Sequence, residues 1–581
     1  MKRSVFSASM DDATSNGGAA PPRGRSIQYT LMLIVLVALG LRVWGITFGL
    51  PYDFTPDEVH EIYRALKLGA GEYSLDSGKG GLYLILFVEY GFLFVFWWLT
   101  GQVQGATDFA IRYLQDPTAF YLLGRLTVAV MGALTCLVIY AVGRRIYGVR
   151  VGLIAAFIGA TTYYHAMWSH YINVDTGMTL AVWMSVLAYL SFEDAQRWRS
   201  LVAAGALAGV AVAFKLPGGI VLPILLLAIA TSPSGGPGPN KFKQMGVVLV
   251  AMTATTAVLA PGAFLLIPKL ASNFSNLIVS EARAAVSQEY EWADIYEITV
   301  LHGGSYISIL LRDYNVTLTL AALVGMAVGL WHRHRWGIIW AVSVLSFVLV
   351  MTLADRGAME RYLMPLIPAF WLLAARAVEF VGRGRRAFMG ILVAVIVAPS
   401  LYALIEQNYT WTRPDTRVLA KAWIEENVAP DAKILMDGMR FRFIQSPPLT
   451  PNAAAVARRV EGVMDEDGRV SRGVSEETLK FYARAMEGME GPKYDLHSTV
   501  WGLGVEELDY YVDGCFDYVV TSSGITRRFD REGMGERFPV SQRFYRGIDA
   551  DPRFERVYSA EPVRWKVQGP TINVYRVEPC G

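Results

Sequence analysis

The chain has 581 residues, 53% hydrophobic and 18% charged, with a mean hydropathy of +0.33. Soluble domains hold about 45–50% apolar residues; the excess here, concentrated before residue 410, excludes an ordinary soluble enzyme and indicates a polytopic helical membrane protein. The net charge of +2 is uninformative by itself, but the placement of Lys and Arg is not.

Residues 1–27, rich in Ser, Gly, Ala and Pro, read as a disordered cytoplasmic tail. The first apolar run starts too late and continues too long for a cleavable signal peptide. After it comes FTPDEVHEIYRALKLG, residues 54–69. Thr55 suits an N-cap, Pro56 the first helical position and Glu58 the reciprocal position of a capping box. Val59, Ile62, Tyr63 and Leu66 recur at helical spacing and Gly69 can end the helix. This predicts a short amphipathic helix on the outer membrane surface. Glu58 completes the cap, so Glu58→Gln is expected to cost little, whereas Asp57 is left without a local duty.

Lys79 sits beside two glycines, where backbone can approach a ligand closely. Residues 80–100 are apolar enough to span, yet Glu89 in mid-run and the Trp97–Trp98 pair fit a re-entrant or interfacial segment. Further spans are read at roughly 120–143, 151–168, 177–192, 200–214, 218–231, 246–267, 306–330, 336–354, 361–380 and 387–406, after a first at 28–50. With 80–100 excluded there are eleven, and the loops carrying Arg144, Arg145, Arg150, Arg197, Arg199, Lys241, Lys243, Arg333, Arg335, Arg383, Arg385 and Arg386 all fall on one side. The positive-inside rule makes that side cytoplasmic. The Pro/Gly stretch 235–240 is a linker, since no strand precedes it. No internal repeat and no nucleotide-binding Gly-rich loop is present.

The opposite loops hold the chemistry-bearing charges. Asp175 precedes a span and either caps the helix beginning at Thr176 or serves a site; His170 stands five residues before it. Lys215 lies between two apolar runs, as a snorkelling cation or a ligand-binding one. Arg356 and Arg361 pair with Asp355 or Glu360, or face a ligand. A base beside cations that can hold a phosphate suits transfer from a lipid-phosphate donor. Residues 407–581 alternate helical (415–428) and strand-like (432–437, 516–523, 571–578) stretches, predicting a small extracytoplasmic α/β domain after a transmembrane domain at 28–406 with a long first outer loop at 51–119. Cys136 lies in an apolar run. Cys515 and Cys580 share an oxidising compartment on this topology, and whether they bond is open. Without CxxC or Cys/His spacing, no structural zinc site is expected.

Through PDEVHEIYRALKLGAGEY, GKGGLYL, LLGRLTVAVMGALTCLVIYAVGRRIYG, SHYINVDTGMTL, GVAVAFKLPGGIVLPILLLA and RYLMPLIPAFWLLAARA, in order over roughly residues 30–410, the chain resembles the GT-C glycosyltransferases of family 39, relatives of dolichyl-phosphate-mannose protein mannosyltransferases and lipid A aminoarabinose transferases. The resemblance implies a polyprenyl-phosphate-linked sugar donor, inversion at the anomeric carbon, Asp57 as general base and Asp175 as supporting acid. Glu58 stands beside Asp57 in the candidate catalytic set. Lys79, Lys215 and Arg361 are the candidates for donor phosphate, and His170 and Tyr362 for the substrate pocket. GKGG stands where many relatives carry Lys-Pro, a departure at the donor contacts. No DxD-type pair occurs at either acid, so no cofactor is certain and a divalent metal stays open. The expected partners are membrane lipid, the donor and a protein, lipid or glycan acceptor, with no nucleic acid. The alternatives are a secondary transporter, which would show midplane charges and repeats, and an inactive glycan-binding relative. The expected location is the cell membrane, multi-pass, N-terminus cytoplasmic and C-terminal domain outside.

Overall fold

The computed structural model describes residues 23–580 other than 56, 74–77, 234–239, 266–305, 354–359, 439–443, 462–484, 487–488, 490 and 532–533. Residues 1–22 of the expected tail, most of the 235–240 linker, all of the 268–305 stretch between two expected spans, and Asp355 and Arg356 lie outside the described residues.

The helices in chain order are α1 (Arg23–Val43), α2 (Glu58–Gly69), α3 (Gly81–Leu99), α4 (Ala106–Gln115), α5 (Thr118–Tyr147), α6 (Val149–Thr161), α7 (Tyr163–Trp168), α8 (Val174–Ala195), α9 (Trp198–Phe214), α10 (Val221–Thr231), α11 (Lys241–Leu259), α12 (Val316–Trp331), α13 (Arg335–Leu353), α14 (Ile367–Gly382), α15 (Arg386–Trp411) and α16 (Thr416–Asn427). Among the described residues, α1, α3, α5, α8, α11 and α15 are long and apolar enough to cross a membrane, and α6, α9, α10, α12 and α13 are shorter apolar helices. The bundle is held by small residues that bring backbones together, the usual device where lipid removes the hydrophobic drive. A Cβ on Gly143 of α5 would meet Gly152 of α6 at 2.9 Å, one on Gly209 of α9 would meet the Met252 carbonyl of α11 at 2.5 Å, and one on Gly325 of α12 would meet the Leu373 carbonyl of α14 at 1.9 Å.

Several expected elements differ in detail. α1 begins at Arg23, so residues 23–27 are helix and not tail, and the span ends at Val43 instead of residue 50. The 151–168 run breaks at Thr162, where the backbone is extended. The 306–330 run opens with a short helical stretch, Tyr306–Ser308, that passes into a π-helical turn, Ile309–Asp313, before α12. The 361–380 run is a 3₁₀ turn, Glu360–Leu363, followed by α14, because Pro365 removes a donor and disfavours helix at the residue before it. Residues 81–99 are one unbroken helix, which contradicts a re-entrant reversal within 80–100.

After α15 the chain forms a six-stranded sheet of order β2-β3-β1-β4-β6-β5. The strands are β1 (Lys433–Asp437), β2 (Thr450–Pro451), β3 (Lys493–Thr499), β4 (Tyr518–Ser522), β5 (Phe554–Ala560) and β6 (Ile572–Val577). The first four are mutually parallel and β6 runs antiparallel to β4 and β5. The strand side chains alternate between two cores. Ile434, Met436, Val520 and Val574 enter one, and Leu435, Val519, Tyr575 and Val577 the other, as the period of two requires. Cys515 and Cys580 are joined by a disulfide with Cα atoms 5.4 Å apart, and Cys136 is a buried free thiol.

Candidate active site

Asp57 is the N-cap residue of α2, but its side chain makes no capping hydrogen bond. It instead accepts a hydrogen bond and an ion pair from Arg361, which the 3₁₀ turn before α14 presents. The Asp57 side chain is 47% exposed and that of Glu58 0%, so of the adjacent acids only Asp57 is open to an incoming substrate. Burial alone pushes the Asp57 carboxyl up; the Arg361 guanidinium, with smaller help from the charges of His60 and Lys79, outweighs it and holds Asp57 below the ordinary carboxylate value. In return Asp57, and more weakly Asp175, overcome the burial of Arg361 and hold its proton more tightly.

Glu58 is corrected on two counts. It does not cap α2 reciprocally, and it is no free acid. Arg125 donates to both its oxygens, at 2.8 and 2.7 Å, and the Ile172 amide and the Thr55 hydroxyl donate to it as well. Arg125 also donates to the Ile46 and Phe48 carbonyls and stacks on the Phe48 ring at 4.0 Å. This buried pair ties the end of α1, the start of α2, α5 and the 169–173 loop together. The sequence signal for it was the lone Arg125 inside an apolar run, where an unpaired charge is too costly to persist.

Asp175 is not a cap either. Asn173 is the N-cap of α8, its side-chain oxygen accepting from the amides of Asp175 and Thr176. That frees the buried Asp175 carboxylate to accept from Lys215 Nζ at 2.8 and 3.1 Å. Lys215 ends α9 in extended backbone and lies 5.0 Å from the Tyr362 ring, while Arg361 lies 5.7 Å from the Trp168 ring and 5.8 Å from Tyr362. Lys79 joins from the start of α3. Burial lowers its proton affinity, Glu61 and Asp175 raise it, and Arg64 and Lys215 lower it. The structure thus brings together Asp57, Asp175, Lys79, Lys215, Arg361 and Tyr362. Glu61, four residues after Asp57 and so on the same helix face, is an acid the sequence reading passed over; it is buried and accepts from Arg64 at 2.5 Å.

His170 does not join this cluster. It is fully buried, with one ring nitrogen 2.9 Å from the Ala166 carbonyl, the other 3.2 Å from that of Trp44, and its ring against Trp411. It packs under the loop, which corrects its assignment to the substrate pocket.

Beside the cluster an apolar groove of ≈ 530 Å³ runs between α3, α9 and α11, lined among others by Gly81, Ile85, Phe92, Phe214 and Leu259, with Glu89 as its acid. Lys79 and Lys215 each lie within two residues of lining positions. Among the described residues no group of three or more His, Cys, Asp or Glu side chains is arranged to hold a metal ion.

Residues 122–263 match the family described as dolichyl-phosphate-mannose-protein mannosyltransferase. No curated protein sequence matches the chain. Among solved structures, the oligosaccharyltransferase of Archaeoglobus fulgidus tethered to an acceptor peptide is similar over 92% of this chain and 73% of its own, with 12% identity and a TM-score of 0.50. ArnT from Cupriavidus metallidurans in the apo state is similar over 94% and 98%, with 14% identity and a TM-score of 0.47. The chain is a multi-pass membrane protein with the GT-C fold of membrane glycosyltransferases and a C-terminal α/β unit.

Proposed function

We propose that the protein moves a monosaccharide from a polyprenyl-phosphate donor to a hydroxyl of a protein, lipid or glycan acceptor at the extracytoplasmic face. The observation that carries this reading is the pairing of an accessible carboxylate, Asp57, with Arg361, in a charged cluster whose Lys79 and Lys215 lie within two residues of Gly81 and Phe214 in the lining of an apolar groove. The prenyl chain would lie in the groove with its phosphate toward these cations. Arg361, drawn to the phosphate, would release Asp57 to take the proton of the acceptor hydroxyl. The hydroxyl oxygen then bonds to the anomeric carbon as the bond from that carbon to the phosphate oxygen breaks, with inversion, and Lys79, Lys215 and Arg361 stabilise the departing phosphate charge. Asp175 holds Lys215 in place. The family match, whose description names a dolichyl-phosphate sugar, supports the donor class.

Purified protein in proteoliposomes, given labelled polyprenyl-phosphate hexoses and pentoses with envelope extract as acceptor, should transfer label in a manner abolished by Asp57→Asn. Loss of one sugar from one envelope component after gene deletion would name both substrates. Absence of transfer from every such donor would reject the reading.

A further inference from the structure

We propose that Arg417, in the C-terminal α/β unit, is a positioning residue for Asp57, acting through Phe54; the proposal rests on the role given to Asp57 above. Arg417 lies in the first turn of α16 with its guanidinium fixed within its own unit. Its Nε and Nη2 donate to the two oxygens of Asp415 at 2.8 and 2.6 Å, and its Nη1 donates to the Ile444 carbonyl. A bidentate carboxylate sets the plane of the guanidinium as well as its place. One face of that plane lies 3.6 Å from the centre of the Phe54 ring, a stacking contact that lysine could not reproduce. Phe54 is buried although it stands in a loop, and Gly49, at φ +74°, leaves room for it: a Cβ there would come 3.2 Å from the ring.

Phe54 is three residues from Asp57, and Glu58 follows at once. Glu58 is fixed by Arg125 and the Ile172 amide. Asp57 therefore sits on a segment held at both ends, by the bundle at 58 and by the α/β unit at 54. The unit has a separate attachment to α15: Arg564 donates to both oxygens of Glu406 and to the Tyr402 hydroxyl, and Trp565 packs 5.5 Å from Tyr409, all three partners lying on that helix. Docking thus does not depend on Arg417, whose contact with Phe54 bears on the Asp57 segment instead.

The test uses full-length protein in lipid nanodiscs and reads both hydrogen exchange of residues 52–62 and transfer kinetics. Arg417→Ala should speed exchange there and lower kcat by about 10²-fold, the scale of a 1 Å misplacement, with the donor KM unchanged. Phe54→Leu, which reaches the same contact from the loop, should do likewise if Arg417→Ala fails to fold, and the double variant should be no worse than either single. Arg417→Lys should not rescue. Arg564→Ala should leave both readouts unchanged. Unaltered exchange at 52–62, faster exchange with normal kcat, or additive losses in the double variant would overturn the proposal. If the unaltered protein transfers no sugar at all, the glycosyltransferase reading fails, and the exchange experiment alone decides whether Arg417 holds the segment.

Discussion

The neighbours Asp57 and Glu58 share a charge and differ in everything the fold does with it. Glu58→Gln leaves the Arg125 guanidinium buried with no countercharge, a change costing about 3–5 kcal/mol; the variant should express poorly and unfold at lower temperature in detergent. Asp57→Asn keeps the shape of a half-exposed side chain, so it should fold normally while transfer falls about 10²–10⁴-fold, the scale of lost general-base catalysis. Normal melting of Glu58→Gln, or near-normal turnover of Asp57→Asn, would sink the respective assignment. The Arg361 pair adds a pH signature. A base must be deprotonated, and Arg361 holds Asp57 below the usual carboxylate range against the upward push of burial. In the free enzyme the acid limb of kcat/KM should therefore fall only below ordinary carboxylate titration. In Arg361→Gln the push of burial is unopposed by that pair, and the limb should move to higher pH in addition to any loss of rate. A limb that stays in place would show that Asp57 is not the group titrating. Charge type and loop position singled out Asp57, Asp175, Lys215 and Arg361, which the fold joins in two ion pairs. The partner of Glu58 was not legible in the sequence, because a capping box satisfies the same local spacing as a long-range ion pair.

At the scale of elements, the start of α3 explains the GKGG departure. The Gly80 amide donates to the Ala213 carbonyl at 2.8 Å, and a Cβ at Gly80 would come 1.7 Å from the Leu259 carbonyl. Proline here would lose the hydrogen bond and collide with α11, so a chain that brings α3 this close to α9 and α11 requires glycine. Gly81 continues the contact, its virtual Cβ 2.7 Å from the Phe214 ring, which also fills the space beside Gly177 of α8. Gly80→Ala should displace Lys79 and the groove wall together, raising the donor KM more than it lowers kcat, with about 1–3 kcal/mol lost to overpacking. Gly91→Ala on the same helix, where nothing lies within 4 Å, should change neither. Equal kinetics for the two variants would separate the groove from donor binding. Hydropathy located the apolar helices, since about 30 Å of hydrocarbon imposes its own length, but set the ends at 50 and 267 and the starts at 306 and 361 six to ten residues away from those of α1, α11, α12 and α14. It could not show the breaks at Thr162 and 309–315, which tertiary packing sets.

For the whole molecule, the decisive question is which way α3 runs. By length and composition it could cross a membrane, and crossing would put the Asp57 loop and the α4 segment on opposite faces. Its contacts argue against that. Nineteen residues of helix reach about 28 Å. Yet Tyr90 donates to the Phe120 carbonyl, Glu89 accepts from Thr127, and Trp97 packs 5.8 Å from the Phe120 ring. These partners span only residues 120–127 at the start of α5, about 10 Å of its axis. A helix descending beside α5 would leave Trp97 near the far end of that helix. One lying across its mouth meets those turns through Glu89, Tyr90 and Trp97 while its start packs on α9 and α11, with Phe92, Phe96, Trp98 and Leu99 turned outward into the interfacial zone that aromatic residues favour. We therefore expect Glu72 and Gln104, exposed positions on either side of α3, to share a compartment. Single cysteines at each can be read cleanly, because Cys136 is buried and Cys515 and Cys580 are bonded to each other. Both should react with an impermeant maleimide in intact cells. Labelling of one before permeabilisation and of the other only after it would mean that α3 crosses, and the outward assignment of the loops that carry Asp57, Asp175 and Lys215 would have to be redrawn.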